Sequence, residues 1–168
     1  DAAASTFRGA VKVEIVARIV PVALERSVVK LDDHQAEKRH AHWLAVAINA
    51  CEQCGRNRLP EIAAPCALSA ALETAADGES DNRCQHLRVL LDPAAADSLD
   101  AYVLPLRASS ASSVLIGPEG GLTDAEIAAA RAAGFVAVNF GPRILRTETA
   151  AIAALSVLQF LAGPRSPD

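Results

Sequence analysis

Short apolar runs alternate with longer segments of helical periodicity along this sequence, and no other feature constrains the fold as strongly. Strands that alternate with helices are typical of an α/β domain with a mostly parallel sheet and helices on both faces. The polar, irregular stretch 73–86 is predicted to be a loop. Buried strands are predicted at 17–22, 88–91, 112–117 and 136–140, and helices at 33–55, 123–133 and 147–162.

Capping signals support the boundaries of these helices. Thr123 and Glu126 have the spacing of a capping box, and Gly134 follows the same helix as a C-terminal stop. Gly55 is expected to end the first helix, and Thr147 to cap the last one. The apolar part of the last helix is too short to span a bilayer. We therefore predict a buried core helix in a soluble, cytoplasmic protein with no membrane partner.

The composition limits the kinds of partner. The 168 residues are 51% hydrophobic and only 4% aromatic, which suits one domain whose helices pack on a sheet through small side chains. The formal net charge is −4, so a nucleic acid would have to bind at a local basic patch. Arg56 and Arg58 can grip phosphate, although their charge alone favours an ordinary solvated surface.

The four cysteines favour helix packing over a metal or redox site. A structural zinc site needs four converging ligands, whereas Cys66 and Cys84 each stand alone. A redox pair is activated at the start of a helix, whereas Cys51 and Cys54 lie at the end of one. We expect Cys51 on the apolar face, Cys54 in the last turn, and no metal.

Two glycine-rich loops follow neighbouring predicted strands and indicate a ligand site. The loop 116–123 reads IGPEGGLT, and the loop 140–150 reads FGPRILRTETA. In parallel sheets ligands bind in the loops at the carboxyl ends of the strands. Neither loop has the glycine spacing or lysine of a phosphate-binding loop, and Glu119 favours a cationic or hydroxyl-bearing ligand. Either loop alone can be a tight turn, but two together favour a site.

These loops resemble known sequences. LIGPEGGLTDAEI with LRTETAAIAAL resembles the carboxyl-terminal signature of the RsmE family of 16S ribosomal RNA (uracil-N3)-methyltransferases, which belongs to the SPOUT superfamily. CEQCGRNRLPEI and ARIVPVALERSVVK resemble two further blocks, so the similarity covers about residues 16–161. The resemblance implies a SPOUT fold with a deep C-terminal trefoil knot, bound S-adenosylmethionine and a homodimer. It also implies methylation of N3 of one uridine in small-subunit ribosomal RNA.

The resemblance also implies which residues bind the cofactor. In this family the cofactor loops follow three strands, which here end near Leu91, Ile116 and Phe140. Glu119 is a candidate partner for the sulfonium or a ribose hydroxyl. The implied cofactor positions are Leu91, Leu115, Ile116, Gly117, Pro118, Glu119, Gly120, Gly121, Phe140, Gly141, Ile144, Leu145, Arg146 and Thr149.

Methylation at uracil N3 requires loss of the N3 proton, so a cation that stabilises the resulting anion is useful. Arg146 is the first candidate for this role, with Glu148 and Thr149 in support. Without the resemblance, Arg146 would be expected to form an ion pair with Glu148 or Asp124 at the end of the helix. The residues expected to contact the RNA backbone are Arg26, Lys30, Arg56 and Arg58.

The amino-terminal residues depart from the family pattern. Residues 1–15 are predicted to be a remnant of an N-terminal PUA-like β-barrel, and residues 16–168 the SPOUT methyltransferase domain. We expect natural residues to be missing around 11–16, so that neighbours in this sequence need not be bonded neighbours in the natural protein. Loss of the barrel would alter RNA affinity and target choice but not cofactor binding.

Three other functions are compatible with parts of the sequence. The chain could be a SPOUT methyltransferase with another RNA target. It could be a non-enzymatic RNA-binding or ribosome assembly factor that keeps the knot. A nucleotide-binding α/β module is disfavoured by the missing phosphate-loop residues. Cofactor binding separates the methyltransferases from the nucleotide-binding module, and methyl transfer separates them from the assembly factor.

Overall fold

A computed structural model of the chain describes residues 5–10, 16–27, 33–76, 86–102 and 111–162. The predicted strands and helices are confirmed, with ends that differ by about two residues or fewer. The strands are β1 (Ser5–Ala10), β2 (Arg18–Ala23), β3 (Glu61–Ile62), β4 (Cys66–Ala67), β5 (His86–Leu91), β6 (Ala111–Ile116) and β7 (Val136–Val138). The helices are α1 (Asp33–Cys54), α2 (Leu68–Ala76), α3 (Asp124–Ala132) and α4 (Thr147–Ala162), with a short 3-10 helix at Leu99–Tyr102.

The strands form one mixed sheet in the order β3-β2-β1-β6-β5-β7, with β4 also paired to β2. Strand β5 runs parallel to both β6 and β7, and β2 runs parallel to β3 and β4. Strand β1 is antiparallel to β2 and β6 and joins these two parallel groups. The predicted α/β class is confirmed, and β1 is the element that makes the sheet mixed.

Helices cover both faces of the sheet because successive residues of a strand point to opposite sides. In β5, Val89 packs in a cluster with Leu158 of α4. The next residue, Leu90, packs in a second cluster with Leu72 of α2 and Ala130 of α3. Both β5 side chains are fully buried. The parallel strands β5, β6 and β7 are therefore held between α4 on one side and α2 with α3 on the other.

Helix α1 lies against β3 at the edge of the sheet. The ring of His40 contacts the carbonyl oxygen of Ile62 in β3, with 2.7 Å between Nε2 and O. Cys51 is buried and Cys54 is exposed, as their positions on the helix predict. Gly55 follows the helix with φ of 70°, a conformation that glycine adopts at little cost.

Part of the predicted loop 73–86 is wrong, because residues 73–76 belong to α2 and His86 begins β5. Leu72 and Ala75 are buried at helical spacing, and this short apolar stripe is interrupted by Glu73 and Thr74. The remainder, 77–85 with Cys84, lies outside the described residues. None of the helices in the described part of the chain combines the length and apolarity needed to cross a membrane.

Candidate active site

The loops that follow β5, β6 and β7 meet in one cleft of about 310 Å³. This volume lies within the range of small-molecule sites, roughly 300–1,000 Å³. The loop after β5 is fixed against β7 by backbone hydrogen bonds. Asp92 N donates to Val138 O at 2.9 Å, and Asn139 N donates to Asp97 O at 2.8 Å. The three strand ends therefore present their loops to a single ligand.

The loop after β6, residues 117–122, forms one wall of this cleft and is called the glycine loop below. The Gly121 amide donates to Pro118 O at 2.9 Å, and Gly121 has φ of 72°. A Cβ atom on Gly117 would lie 3.0 Å from Leu122 Cγ, which is closer than ordinary packing allows. Backbone groups therefore reach the cleft where a side chain would fill it.

Thr147 joins the glycine loop to the start of α4. Its hydroxyl donates to the carbonyl oxygen of Gly117 at 3.0 Å. The first helical hydrogen bond runs from Ala150 N to Arg146 O at 2.8 Å, so Arg146 occupies the position before the helix. The expectation that Thr147 caps α4 is therefore wrong, because Thr147 lies within the first turn and bonds the neighbouring loop instead.

The loop after β2 supports the glycine loop from outside the cleft. Arg26 Nη1 donates to Gly120 O at 3.0 Å and lies 3.4 Å from Leu122 O. A Cβ atom on Gly120 would lie 3.1 Å from Arg26 Cβ, so the two loops are in close contact. Arg26, predicted as an RNA-backbone contact, thus directs its guanidinium at backbone carbonyls of the glycine loop.

Replacing Arg26 by glutamine is expected to weaken cofactor binding by about three- to tenfold. The substitution removes a charged donor to a loop carbonyl, an interaction worth about 1.5 kcal/mol or more. Hydrogen exchange at residues 120–123 should become faster in the free protein and recover when ligand saturates the cleft. Arg131→Gln, which changes an exposed arginine on α3, is the matched control. Unchanged affinity and exchange in Arg26→Gln would contradict this supporting role.

Glu126 fixes the start of α3 beside the glycine loop. The predicted capping box is confirmed: Thr123 N donates to Glu126 Oε2 at 2.8 Å, and Glu126 N donates to Thr123 Oγ1 at 3.3 Å. Glu25 N donates to Glu126 Oε1 at 2.9 Å. Burial alone raises the pKa of Glu126. Hydrogen bonds from Thr123 and Glu25, together with the charge of Arg26, outweigh that effect and hold the pKa below its ordinary value.

Because the pKa of Glu126 is lowered in the folded state, the free energy of unfolding depends on pH. A carboxylate with a depressed pKa in the folded state stabilises the fold above its ordinary pKa of about 4.5, and that contribution is lost as the pH falls through the folded-state value. Glu126→Gln keeps an acceptor oxygen and removes the charge. We expect the parent to be more stable than Glu126→Gln at neutral pH, with the difference shrinking below about pH 4.5 in urea unfolding. A difference that is independent of pH would contradict this assignment.

Most of the implied cofactor positions line the cleft. Leu115 does not, because its side chain packs fully buried on the opposite face of the sheet with Leu90. Gly141, Arg146 and Thr149 also lie outside the lining. The implied positions that do line it are Leu91, Ile116, Gly117, Pro118, Glu119, Gly120, Gly121, Phe140, Ile144 and Leu145.

The structure adds lining residues that the motifs did not assign to the site. Asp92 and Pro93 directly follow the apolar run of β5, so their strand-end position was the available signal. Leu122, Ile127 and Ala150 reach the cleft through the packing of α3 and α4. The remaining additions are Arg143 and Thr147.

The predicted catalytic residues lie together at the start of α4. Arg146, Glu148 and Thr149 are exposed, and Arg146 lies between two lining residues, Leu145 and Thr147. The ion pair recorded among the described residues joins Arg18 to Glu61, and none joins Arg146 to Glu148 or Asp124. Arg146 is therefore exposed next to the cleft in the sequence, and within the described residues no ion pair holds its guanidinium.

The other residues predicted to contact RNA differ in their positions and in their hydrogen-bond partners. Arg56 Nη2 donates to the carbonyl oxygen of Val16 at 2.7 Å and so ties the end of α1 to the start of β2. Arg58 is exposed just beyond that helix. Lys30 lies outside the described residues. Of the four positions, Arg26 and Arg56 thus use guanidinium groups to hold the fold together.

The cleft suits a ligand with a flat apolar part and a cationic centre. Leu91, Ile116 and Ile144 provide aliphatic walls, and the glycine loop provides backbone donors and acceptors. Asp92 and Glu119 add carboxylates that attract positive charge. Within the described ranges, no group of three or more histidine, cysteine or acidic side chains is arranged to hold a metal ion.

The chain is similar in sequence to a known family and to named proteins. Residues 10–159 match a family of sequences described as the RNA methyltransferase domain. Ribosomal RNA small subunit methyltransferase E of Bacillus subtilis (strain 168) is 35% identical over 141 residues, which cover 84% of this chain and 54% of that protein. The chain therefore spans about half the length of this relative. The resemblance predicted from the sequence motifs is confirmed.

Solved structures share the fold and were determined with a ligand. A Legionella pneumophila protein solved in complex with the bound cofactor SAM is 41% identical, with a TM-score of 0.73 over 86% of this chain and 55% of that one. Ribosomal RNA small subunit methyltransferase E of Neisseria gonorrhoeae, bound to S-adenosyl methionine, is 37% identical, with a TM-score of 0.71 over 87% and 55% of the two chains.

Proposed function

Because this chain belongs to the RNA methyltransferase domain family, we propose that it transfers a methyl group from S-adenosylmethionine to N3 of a specific uridine in small-subunit ribosomal RNA. The observation that carries the proposal is the cleft formed by the loops after β5, β6 and β7. Two similar chains were solved with this cofactor bound, and the Neisseria protein bears the name of a small-subunit methyltransferase.

Different residues of the cleft are proposed to bind different parts of the cofactor. Aliphatic side chains such as Leu91 and Ile116 would pack against its base, and backbone groups of the glycine loop would hydrogen-bond its polar edges. The carboxylates of Asp92 and Glu119 would face its cationic centre. When bound, S-adenosylmethionine supplies an activated methyl group on a sulfonium sulfur.

Arg146 is proposed to stabilise the acceptor. Uracil N3 becomes a nucleophile when its proton leaves, and the negative charge then spreads over N3 and the two adjacent carbonyl oxygens. A guanidinium at the mouth of the cleft can donate hydrogen bonds to that charge as it develops. The N3–carbon bond forms as the sulfur–carbon bond breaks, and the proton is lost to solvent or to Glu148. Thr149 is proposed to orient the acceptor.

Methyl transfer to purified small ribosomal subunits tests this function. We expect N3-methyluridine at one site, detected by mass spectrometry of nuclease digests, only when S-adenosylmethionine is present. Methylation of another RNA at the same rate would indicate a different target. Cofactor and RNA binding without turnover would contradict the enzyme and indicate an assembly factor. Any activity is proposed to take place in the cytoplasm, where small subunits are available as substrate.

We further propose that the chain forms a homodimer through α4 and that the carboxyl-terminal loops are threaded as a deep trefoil knot. Membership of the RNA methyltransferase domain family supports the knot, which the resemblance implies. The exposure of Ile152 and Phe160, at 68% and 83%, supports the dimer because two large apolar side chains face solvent at spacing i, i+8 along one side of α4.

Phe160→Ser is expected to weaken self-association. Burial of one phenylalanine side chain contributes about 1.5–3 kcal/mol, so loss of two symmetric copies should raise the dissociation constant by at least about a hundredfold. Sedimentation equilibrium of the parent and the variant measures this change. Arg131→Gln, which alters an exposed side chain on α3 on the opposite face of the sheet, is the control. A monomeric parent, or equal association by parent and Phe160→Ser, would contradict the α4 interface.

Residues 1–15 are proposed to be a remnant of the N-terminal barrel, as the resemblance suggests. Residues 5–15 mix apolar and polar side chains, as the strands of a barrel do, and this pattern supports the origin. Hydrogen exchange of residues 5–10 tests how this remnant is held in solution. Slow exchange is expected because β1 pairs with β2 and β6, which would mean that the remnant has joined the sheet of the methyltransferase domain. Rapid exchange of these amides would contradict that pairing.

A further inference from the structure

One side of α1 carries a group of basic and aromatic side chains that the cleft does not use. Gln35, Lys38, Arg39, His42 and Trp43 line a surface hollow of about 430 Å³. At about 100° per residue, these five positions fall on one side of a helix. We call this side the α1 basic face.

The α1 basic face is distinct from the side by which the helix packs. His40 contacts Ile62 O, and Cys51 is only 7% exposed, so these residues mark the packed side. One turn beyond the hollow, Val46 is 52% exposed and continues the open side. Trp43 lies at the border of the two sides and is half-buried. Part of this residue therefore stays accessible to a partner.

The charges on the α1 basic face have one sign. Glu37 and Glu52, the acidic residues of α1 beyond its first position, fall on other sides of the helix. Among the described residues, no ion pair involves Lys38 or Arg39. The whole chain carries a formal charge of −4, so this face is a local exception that attracts a polyanion.

We propose that the α1 basic face binds a single-stranded segment of the RNA substrate. Trp43 stacks on a base, and Lys38 and Arg39 contact phosphates on either side of it. A row of cations beside an aromatic ring is the usual means by which proteins bind single strands without reading their sequence. This inference rests on the proposed function, because it assigns part of the RNA contact for the same reaction.

The position of α1 in the chain allows one RNA to reach both this face and the cleft. Arg26, which contacts the glycine loop, precedes the first residue of α1 by seven positions. Seven residues span at most about 25 Å, and Trp43 lies ten residues further along the helix, about 15 Å, so Trp43 is within about 40 Å of the loop after β2. A single strand of several nucleotides covers such a distance. The target uridine can therefore lie at the cleft while its neighbours lie on α1.

The chain contains a single tryptophan, so Trp43 emission reports on this face alone. The intact chain is titrated with single-stranded oligouridylate of about ten nucleotides. We expect saturable quenching of Trp43. We also expect the double variant Lys38→Gln, Arg39→Gln to bind about tenfold more weakly by fluorescence anisotropy of labelled RNA. Its slope of log K against log salt should fall by about 1.4, since each phosphate contact contributes about 0.7.

Two further variants test the contribution of base stacking and the effect of losing a positive charge elsewhere on the surface. Trp43→Leu keeps an apolar side chain and should weaken RNA binding while the salt slope stays as in the parent. Arg131→Gln removes one exposed arginine on α3 and should bind RNA as the parent does. Thermal unfolding shows whether each variant is folded. If the double variant is not folded, quenching of Trp43 emission in the parent decides whether RNA binds this face.

Three results would overturn the inference. RNA could bind without any change in Trp43 emission, or the double variant could bind as tightly as the parent. The emission could instead depend on protein concentration without RNA, which would place a second copy of the chain on this face. A parallel titration with S-adenosylmethionine separates the two proposals. Cofactor binding without RNA on this face removes this inference alone, whereas quenching by RNA without cofactor binding removes the proposed function alone.

Discussion

Replacing Arg146 by alanine is expected to reduce methyl transfer by about 10²–10³-fold while the dissociation constant of S-adenosylmethionine changes by less than about threefold. Arg146 is exposed before α4, and within the described residues it makes no ion pair, so its side chain is not needed to hold the fold. Its backbone carbonyl, which accepts the bond from Ala150 N, is retained in the variant. Single-turnover assays with small ribosomal subunits measure the effect directly.

Two controls separate charge stabilisation from simple binding of RNA. Arg146→Lys keeps the positive charge but loses the forked donor geometry, so it should restore only part of the rate. Arg131→Ala removes an exposed arginine elsewhere and should leave the rate unchanged. A rate for Arg146→Ala within a few fold of the parent, at saturating RNA and cofactor, would show that another group stabilises the N3 anion.

Replacing Gly117 by valine is expected to weaken cofactor binding by about one to two orders of magnitude. The new Cβ would lie 3.0 Å from Leu122 Cγ and 3.4 Å from Leu122 N, so the glycine loop must move. Leu122 is partly buried against two core clusters and cannot simply turn away. Forcing extra atoms into such a site costs about 1–3 kcal/mol, and the displaced loop is the wall that holds the ligand.

Gly55→Ala is the matched glycine control for this experiment. Unlike Gly117, Gly55 has a positive φ, of 70°, but a Cβ there would meet nothing within 4 Å. It ends α1 and does not line the cleft. The substitution should therefore lower the free energy of unfolding by about 1 kcal/mol and leave cofactor affinity unchanged. Equal affinities for Gly117→Val and the parent would contradict the account of the glycine loop.

The strands and long helices could be predicted because each signal is local. Strand β6 ends in three buried apolar residues, Val114, Leu115 and Ile116, and α3 carries its capping box within four residues. The sequence predicts a loop over part of α2 because the apolar stripe of this helix is short and interrupted by polar residues. Its stability comes from contacts of Leu72 and Ala75 with the sheet, which no local pattern encodes.

The candidate site was predictable where it follows strand ends and unpredictable where packing builds it. Gly117 and Glu119 directly follow β6, so the strand-end rule places them in the cleft. Ile127 and Ala150 reach it only after α3 and α4 dock on the sheet. Arg26 illustrates a further limit, because a sequence does not distinguish a guanidinium that binds RNA from one that binds the carbonyl of Gly120.

Calorimetric titration of the folded chain with S-adenosylmethionine, with ATP and NAD as controls, tests most directly whether the cleft is the cofactor site of a methyltransferase. We predict binding of the methyl donor alone, in the micromolar range, which corresponds to about −8 kcal/mol. Gly117→Val should weaken that binding and Gly55→Ala should not. Absence of binding in a folded sample, or equal binding of ATP, would contradict the assignment of the cleft.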